Sequence, residues 1–203
     1  VYALGASVTL TASAEANHIF TGWGGDASGT ANPLSITMDT SKVITANFTP
    51  TYTLNTSVVG SGNITVTPGK ERYAAGETVQ LTAVSDTGYA LSGWSGDASG
   101  TQNPLTVTMD GNKNITAAFA PLRTLAVNVT GQGSVSRSPD ATSYVHGAVV
   151  QLTASPDTGW VFGEWTGAMS GTQNPASITM DADKNVGATF KQLFTVTRTI
   201  VGQ

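Results

Sequence analysis

Three aromatic rings, His18, Tyr89 and Trp160, recur at a spacing of 71 residues. A position that keeps a ring while changing its chemistry is what a ligand-stacking surface would present, so these three are the candidate ligand-binding residues. The plain alternative is a contact at the rim of a core. Two acids recur as well, because Asp26 and Asp97 each follow a Gly and precede Ala-Ser-Gly-Thr. Carboxylates there could join a hard-cation site, but calcium needs about six to eight oxygens, and the third copy carries Ala168 at that place. Capping of the following turn, whose free N–H groups a carboxylate satisfies, is the expected role. A similar choice arises where Asp181, Asp183 and Asn185 imitate half of a calcium loop. The related turns end in Lys42, Lys113 and Lys184 at the fourth position, which points to hairpin closure. No metal and no cofactor are expected.

Nothing in the chain assembles into catalytic machinery. Cysteine is absent, which removes thiolate nucleophiles, disulfides and thiolate metal sites together. The two histidines occupy different places in the repeat, since His18 aligns with Tyr89 and His146 with Ala75. No serine lies in a Gly-x-Ser-x-Gly elbow. The expectation is a protein that is not an enzyme. Charged residues make up only 11% and the Lys and Arg are scattered, so no basic stripe offers itself to nucleic acid. No apolar run reaches the roughly 18 residues of a membrane span.

The elements that must position these residues follow one pattern told three times. "GWGGDASGTANPLSITMD" begins at Gly22, "GWSGDASGTQNPLTVTMD" at Gly93 and "EWTGAMSGTQNPASITMD" at Glu164. Such a period overrules chain length as a guide to domain number. Its expected core is one Trp, one Met and one Phe per unit: Trp23, Met38 and Phe48; Trp94, Met109 and Phe119; Trp165, Met180 and Phe190. Apolar residues alternate with polar ones, as in "TVQLTAVS" from Thr78 to Ser85, and Gly or Asn-Pro interrupts the chain about every ten residues. The reading is all-β, with about six short strands per unit. Hairpins are expected at Ser61-Gly62 and at the "DGNK" turn from Asp110 to Lys113. The segment after each Trp is the one place where a helical turn fits.

The pattern of Tyr, Gly, Val-x-Leu-Thr-Ala, Gly-Trp-x-Gly-Asp-x-Ser-Gly-Thr-x-Asn-Pro, Thr-Met-Asp and a closing Phe resembles the divergent internalin-type B-repeat of bacterial surface and secreted proteins. The resemblance implies tandem β-rich modules, β-grasp-like or small β-sandwiches, found in adhesins and other large surface proteins, and it implies no catalytic residues. Expected boundaries are a partial repeat over 1–50 lacking its opening hairpin, complete repeats over 51–121 and 122–192, and the first strand of a further repeat over 193–203. Small disulfide-free modules gain stability by packing on their neighbours. The expected function is therefore a non-catalytic extracellular array: a stalk, spacer, filament-forming or adhesive segment of a larger protein. Its partners would be neighbouring repeats or copies of itself head to tail. The rival reading is a module that binds carbohydrate, such as cell-surface polysaccharide, or another surface through its exposed aromatics.

Overall fold

A computed structural model describes residues 1–199 and 201. Among the described residues there are eighteen strands and no helix. The first repeat supplies β1 (Ser7–Leu10), β2 (His18–Gly25), β3 (Leu34–Thr37) and β4 (Ile44–Tyr52). The second supplies β5 (Leu54–Val59), β6 (Gly62–Thr67), β7 (Tyr73–Ala74), β8 (Thr78–Ser85), β9 (Tyr89–Gly96), β10 (Leu105–Thr108) and β11 (Lys113–Arg123). The third supplies β12 (Leu125–Thr130), β13 (Gly133–Ser138), β14 (Tyr144–Val145), β15 (Val149–Pro156), β16 (Trp160–Gly167), β17 (Ala176–Thr179) and β18 (Lys184–Gln192).

The third repeat shows the plan. One sheet runs β13-β15-β17, all antiparallel, and the other runs β12-β18-β16. In the second sheet β12 lies parallel to β18, with Leu125 opposite Lys184. Because side chains alternate along a strand, β15 sends Val150, Leu152 and Ala154 inward, exposed by 0%, 0% and 4%. They meet Trp165, Val186, Ala188 and Phe190 from the opposite sheet in one buried cluster with Met180 and Ile178. With no helix, the module is a small β-sandwich, the second of the two architectures the sequence allowed.

The strand pairing differs from the expected hairpins. β10 pairs with β8, while β11 pairs with β9 on one side and in parallel with β5 on the other. The "DGNK" turn therefore carries the chain from one sheet to the other. The same holds at Ser61-Gly62, since β5 joins the β11 sheet and β6 joins β8. Alternation fixes which face of a strand is apolar. It does not name the strand's partner.

Core burial is uneven. Trp94, Met109 and Phe119 are exposed by only 4%, 0% and 5%, and Trp165, Met180 and Phe190 by 1%, 0% and 5%. In the first repeat Trp23 and Met38 are half-buried and Phe48 is 38% exposed, which departs from the expected core. The third repeat supplies the reason. β12 covers the outer edge of β18, and the turn after it lies on Phe190, where a Cβ at Gly133 would come within 2.7 Å of the ring. Among the described residues β4 pairs only with β2 and β7, so nothing takes the part of β12 over Phe48.

Adjacent repeats share strands. β4 runs on to pair with β7, setting Thr51 opposite Ala74 and Tyr52 opposite Tyr73. β11 does the same with β14, setting Leu122 opposite Val145 and Arg123 opposite Tyr144. Backbone bonds extend each joint: Ala75 N to Pro50 O (2.8 Å) at the first and His146 N to Pro121 O (2.9 Å) at the second. The expected opening strand at 193–203 falls partly on Ile200, Gly202 and Gln203, which lie outside the described residues. Residues 193–199 carry no strand.

Candidate functional site

The thrice-spelled phrase builds a corner. Each Trp donates its indole N–H to a carbonyl eight residues on, at Ala31, Gln102 and Gln173 (2.8, 2.9 and 2.8 Å). The Asn of each Asn-Pro clasps one backbone residue at both ends. Asn174 accepts from Ala154 N (2.8 Å) and donates to Ala154 O (2.7 Å), and Asn32 and Asn103 do the same to Ala12 and Ala83. The peptide bonds before Pro33, Pro104 and Pro175 are cis. The glycine before Asp26, Asp97 and Ala168 has positive φ (75°, 91° and 80° at Gly25, Gly96 and Gly167), and a Cβ there would strike a carbonyl oxygen at 2.2–2.5 Å. Only glycine fits without a shift.

Asp26 and Asp97 do not cap a helical turn. Asp26 Oδ2 accepts from Val43 N (2.7 Å) while Asp26 N donates to Val43 O (2.8 Å). Asp97 makes the same pair of bonds with Asn114, at 2.7 and 2.9 Å. Ala168 keeps the backbone half, donating to Asn185 O. The acids thus tie the corner to the start of the last strand. Lys42, Lys113 and Lys184 are each paired with the Asp three residues earlier. Those hydrogen bonds from lysine hold Asp39, Asp110 and Asp181 below the usual carboxylate range. Among the described residues no three of His, Cys, Asp and Glu gather closely enough to hold a metal.

The three aligned rings differ in exposure. His18 is exposed, with Nδ1 3.3 Å from Ala16 O. Tyr89 and Trp160 are half-buried. Trp160 packs against the core and covers the turn at Gly131, where a Cβ would lie 2.9 Å from Cζ3. A depression beside the uncovered Phe48 is lined by Ser13, Glu15 and His18.

A surface rich in polar and charged groups lies at the first joint. Two depressions meet there, sharing His18, Thr51 and Arg72. One extends along Asn17, Pro50, Tyr52, Thr53 and Asn112, the other along Ile19, Thr21, Lys70, Ala74 and Glu77. Arg72 donates from Nε to Thr51 Oγ1 (2.7 Å) and from Nη2 to Thr51 O (2.8 Å). Lys70 Nζ stands 2.5 Å from Glu77 Oε1, and Glu77 Oε2 accepts from Ala74 N at 3.1 Å. The lysine hydrogen bond holds the Glu77 carboxyl below its ordinary value. Of these groups the sequence reading singled out only His18. Lys70, Arg72 and Glu77 carried a usable signal, because their counterparts one period later are the uncharged Ala141, Ser143 and Ala148.

A comparison with curated proteins finds no match. A family model, the divergent InlB B-repeat domain, matches residues 1–51, 52–122 and 123–193 in succession. With nearly the whole chain covered by three tandem matches, the protein belongs to the divergent InlB B-repeat family.

Proposed function

We propose that the chain is a non-catalytic structural segment, a stalk or spacer outside the cell within a larger bacterial surface or secreted protein. One observation carries this reading: the last strand of a repeat passes without a linker into backbone pairing with the next. Tyr52 faces Tyr73 at the first joint and Arg123 faces Tyr144 at the second. Thr51 N and Leu122 N add bonds to Asn17 O and Gly88 O (2.7 and 2.8 Å), which belong to the repeat being left. Joints made of paired backbone resist swivelling, which suits a part that must hold a distance. The family's occurrence in bacterial surface proteins agrees with a place outside the cell. The partners in this reading are neighbouring repeats, or further copies head to tail in a filament or adhesive array.

The test is rotational. Residual dipolar couplings should fit one alignment tensor across each joint in the intact chain. Ala75→Pro, which removes the N–H that bonds Pro50 O, should split the tensor at the first joint alone. Independent tumbling of repeats in the unaltered chain would defeat the spacer reading. For location, an antibody to the repeats should label intact source cells or their medium; signal confined to lysed cells would count against it.

A further inference from the structure

We propose that the groove at the first joint binds an acidic saccharide, seating a carboxylate on Arg72 with sugar rings along the surface beside it. The first argument compares two joints built on one frame. Both make the same strand pairing and the same bond to a proline carbonyl. Yet His18, Lys70, Arg72 and Glu77 at the first are replaced by Tyr89, Ala141, Ser143 and Ala148 at the second. The frame closes without those polar groups, so their gathering at one joint calls for another purpose.

Pre-organisation is the second argument. Two hydrogen bonds to Thr51 fix the Arg72 guanidinium, and they leave Nη1 without a partner among the described residues. Thr51 itself is only 7% exposed and makes a firm base. A guanidinium already held in place loses little further freedom when an anion docks, and its planar fork matches a carboxylate. The Lys70 ammonium, with three protons and one Glu77 oxygen to serve, adds positive charge beside it.

The rest of the lining chooses the ligand class. Ile19, Pro50 and Tyr52 offer apolar faces, and Asn17, Thr21 and Asn112 offer side-chain hydrogen bonds. Sugar rings need that mixture, with C–H faces on flat apolar surface and hydroxyls bonded at the rim. An extended acidic peptide fits less well. It would want a free strand edge, and at the joint Thr51 and Tyr52 of β4 are already paired with β7.

Calorimetric and NMR titrations of the 203-residue chain with trigalacturonate test the proposal. Parallel arms use a neutral trisaccharide, triglutamate and inorganic phosphate. Saturable trigalacturonate binding should shift the amides of His18, Thr51 and Arg72, leaving those of Tyr89, Leu122 and Ser143 in place. Arg72→Ala should weaken it at least about tenfold, as expected for loss of a charge-assisted bond. Because that change also frees Thr51, two milder variants accompany it. Arg72→Lys keeps the charge without the fork, and Lys70→Gln leaves the Thr51 bonds intact; each should weaken binding by about twofold to fivefold. Absence of binding, or binding indifferent to all three substitutions, overturns the proposal. Equal affinity for the neutral sugar overturns the carboxylate contact, and tighter binding of triglutamate or phosphate makes the groove a peptide or simple anion site instead.

Discussion

Phe48 and Phe190 close the same sequence pattern in two repeats, yet the first residue is 38% exposed against 5% for the second. Their neighbours barely differ. Phe20 lies 5.1 Å from Trp23 and 5.8 Å from Phe48; Phe162 lies 4.9 Å from Trp165 and 5.9 Å from Phe190. The aromatic cluster therefore forms within the segment shared by both repeats. What differs is the cover, since β12 and the turn at Gly131 and Gly133 close over Phe190. A residue's place in the pattern sets its contacts along the strand, and the strand across the sheet sets its burial.

Truncating the Trp should widen this contrast most. Trp165→Ala removes a side chain that is 1% exposed and should cost about 3–5 kcal/mol, as for other buried large aromatics. Trp23→Ala removes the same indole bond from a half-buried site and should cost about half as much. Amide exchange of residues 23 and 165, which bond Gly29 O and Gly171 O, reads each repeat separately. Equal losses would mean that the cover contributes nothing.

The next change acts on the cover directly. A Cβ at Gly131, where φ is 91°, would sit 2.4 Å from Phe190 O and 2.9 Å from the Trp160 ring. Gly131→Ala should therefore cost about 1–3 kcal/mol through overpacking and strain, lowering protection in the third repeat and leaving the first untouched. Gly25→Ala and Gly167→Ala serve as the control, because a Cβ meets a carbonyl oxygen at 2.2 and 2.5 Å in the two repeats. Those two variants should be damaged alike, by protein melts followed through each repeat's own amides.

Much of this was legible in the residues. The 71-residue spacing and the alternation in "TVQLTAVS" were enough for tandem all-β modules. Pairing was not legible, because β5 meets β11 across 59 positions and in parallel, and a strand's own pattern says nothing about its partner. The partner of Asp26 lies 17 residues away, at Val43, beyond the reach of a local capping rule. The groove at the first joint was hidden for a different reason. A repeat pattern marks what the units share, whereas Lys70, Arg72 and Glu77 stand where the repeats differ.

The smallest expected effect is a difference in acid sensitivity at the turn that enters the last strand. All three repeats carry an Asp–Lys pair there, at Asp39, Asp110 and Asp181, so that background titrates everywhere. Two positions beyond these acids stand Ser41, Asn112 and Asp183. Asn112 Oδ1 accepts from Thr53 N (3.0 Å) to start β5, and Asp183 Oδ1 accepts from Thr124 N (2.8 Å) to start β12. The Thr124 backbone bond, with a smaller contribution from the nearby Arg123 charge, lowers the Asp183 pKa. A lowered folded-state value means that the ionised form is the one the fold favours. The stabilisation is thus complete above the unfolded carboxylate range near pH 4 and disappears as pH falls through the lower folded value. Between about pH 5 and pH 2.5, protection of the Thr124 amide should fall relative to that of Thr53. Asp183→Asn, which copies the second repeat, should remove the difference. If Thr53 and Thr124 lose protection in parallel, acid acts through the shared Asp–Lys pairs, and the cover over Phe190 carries no acid sensitivity of its own.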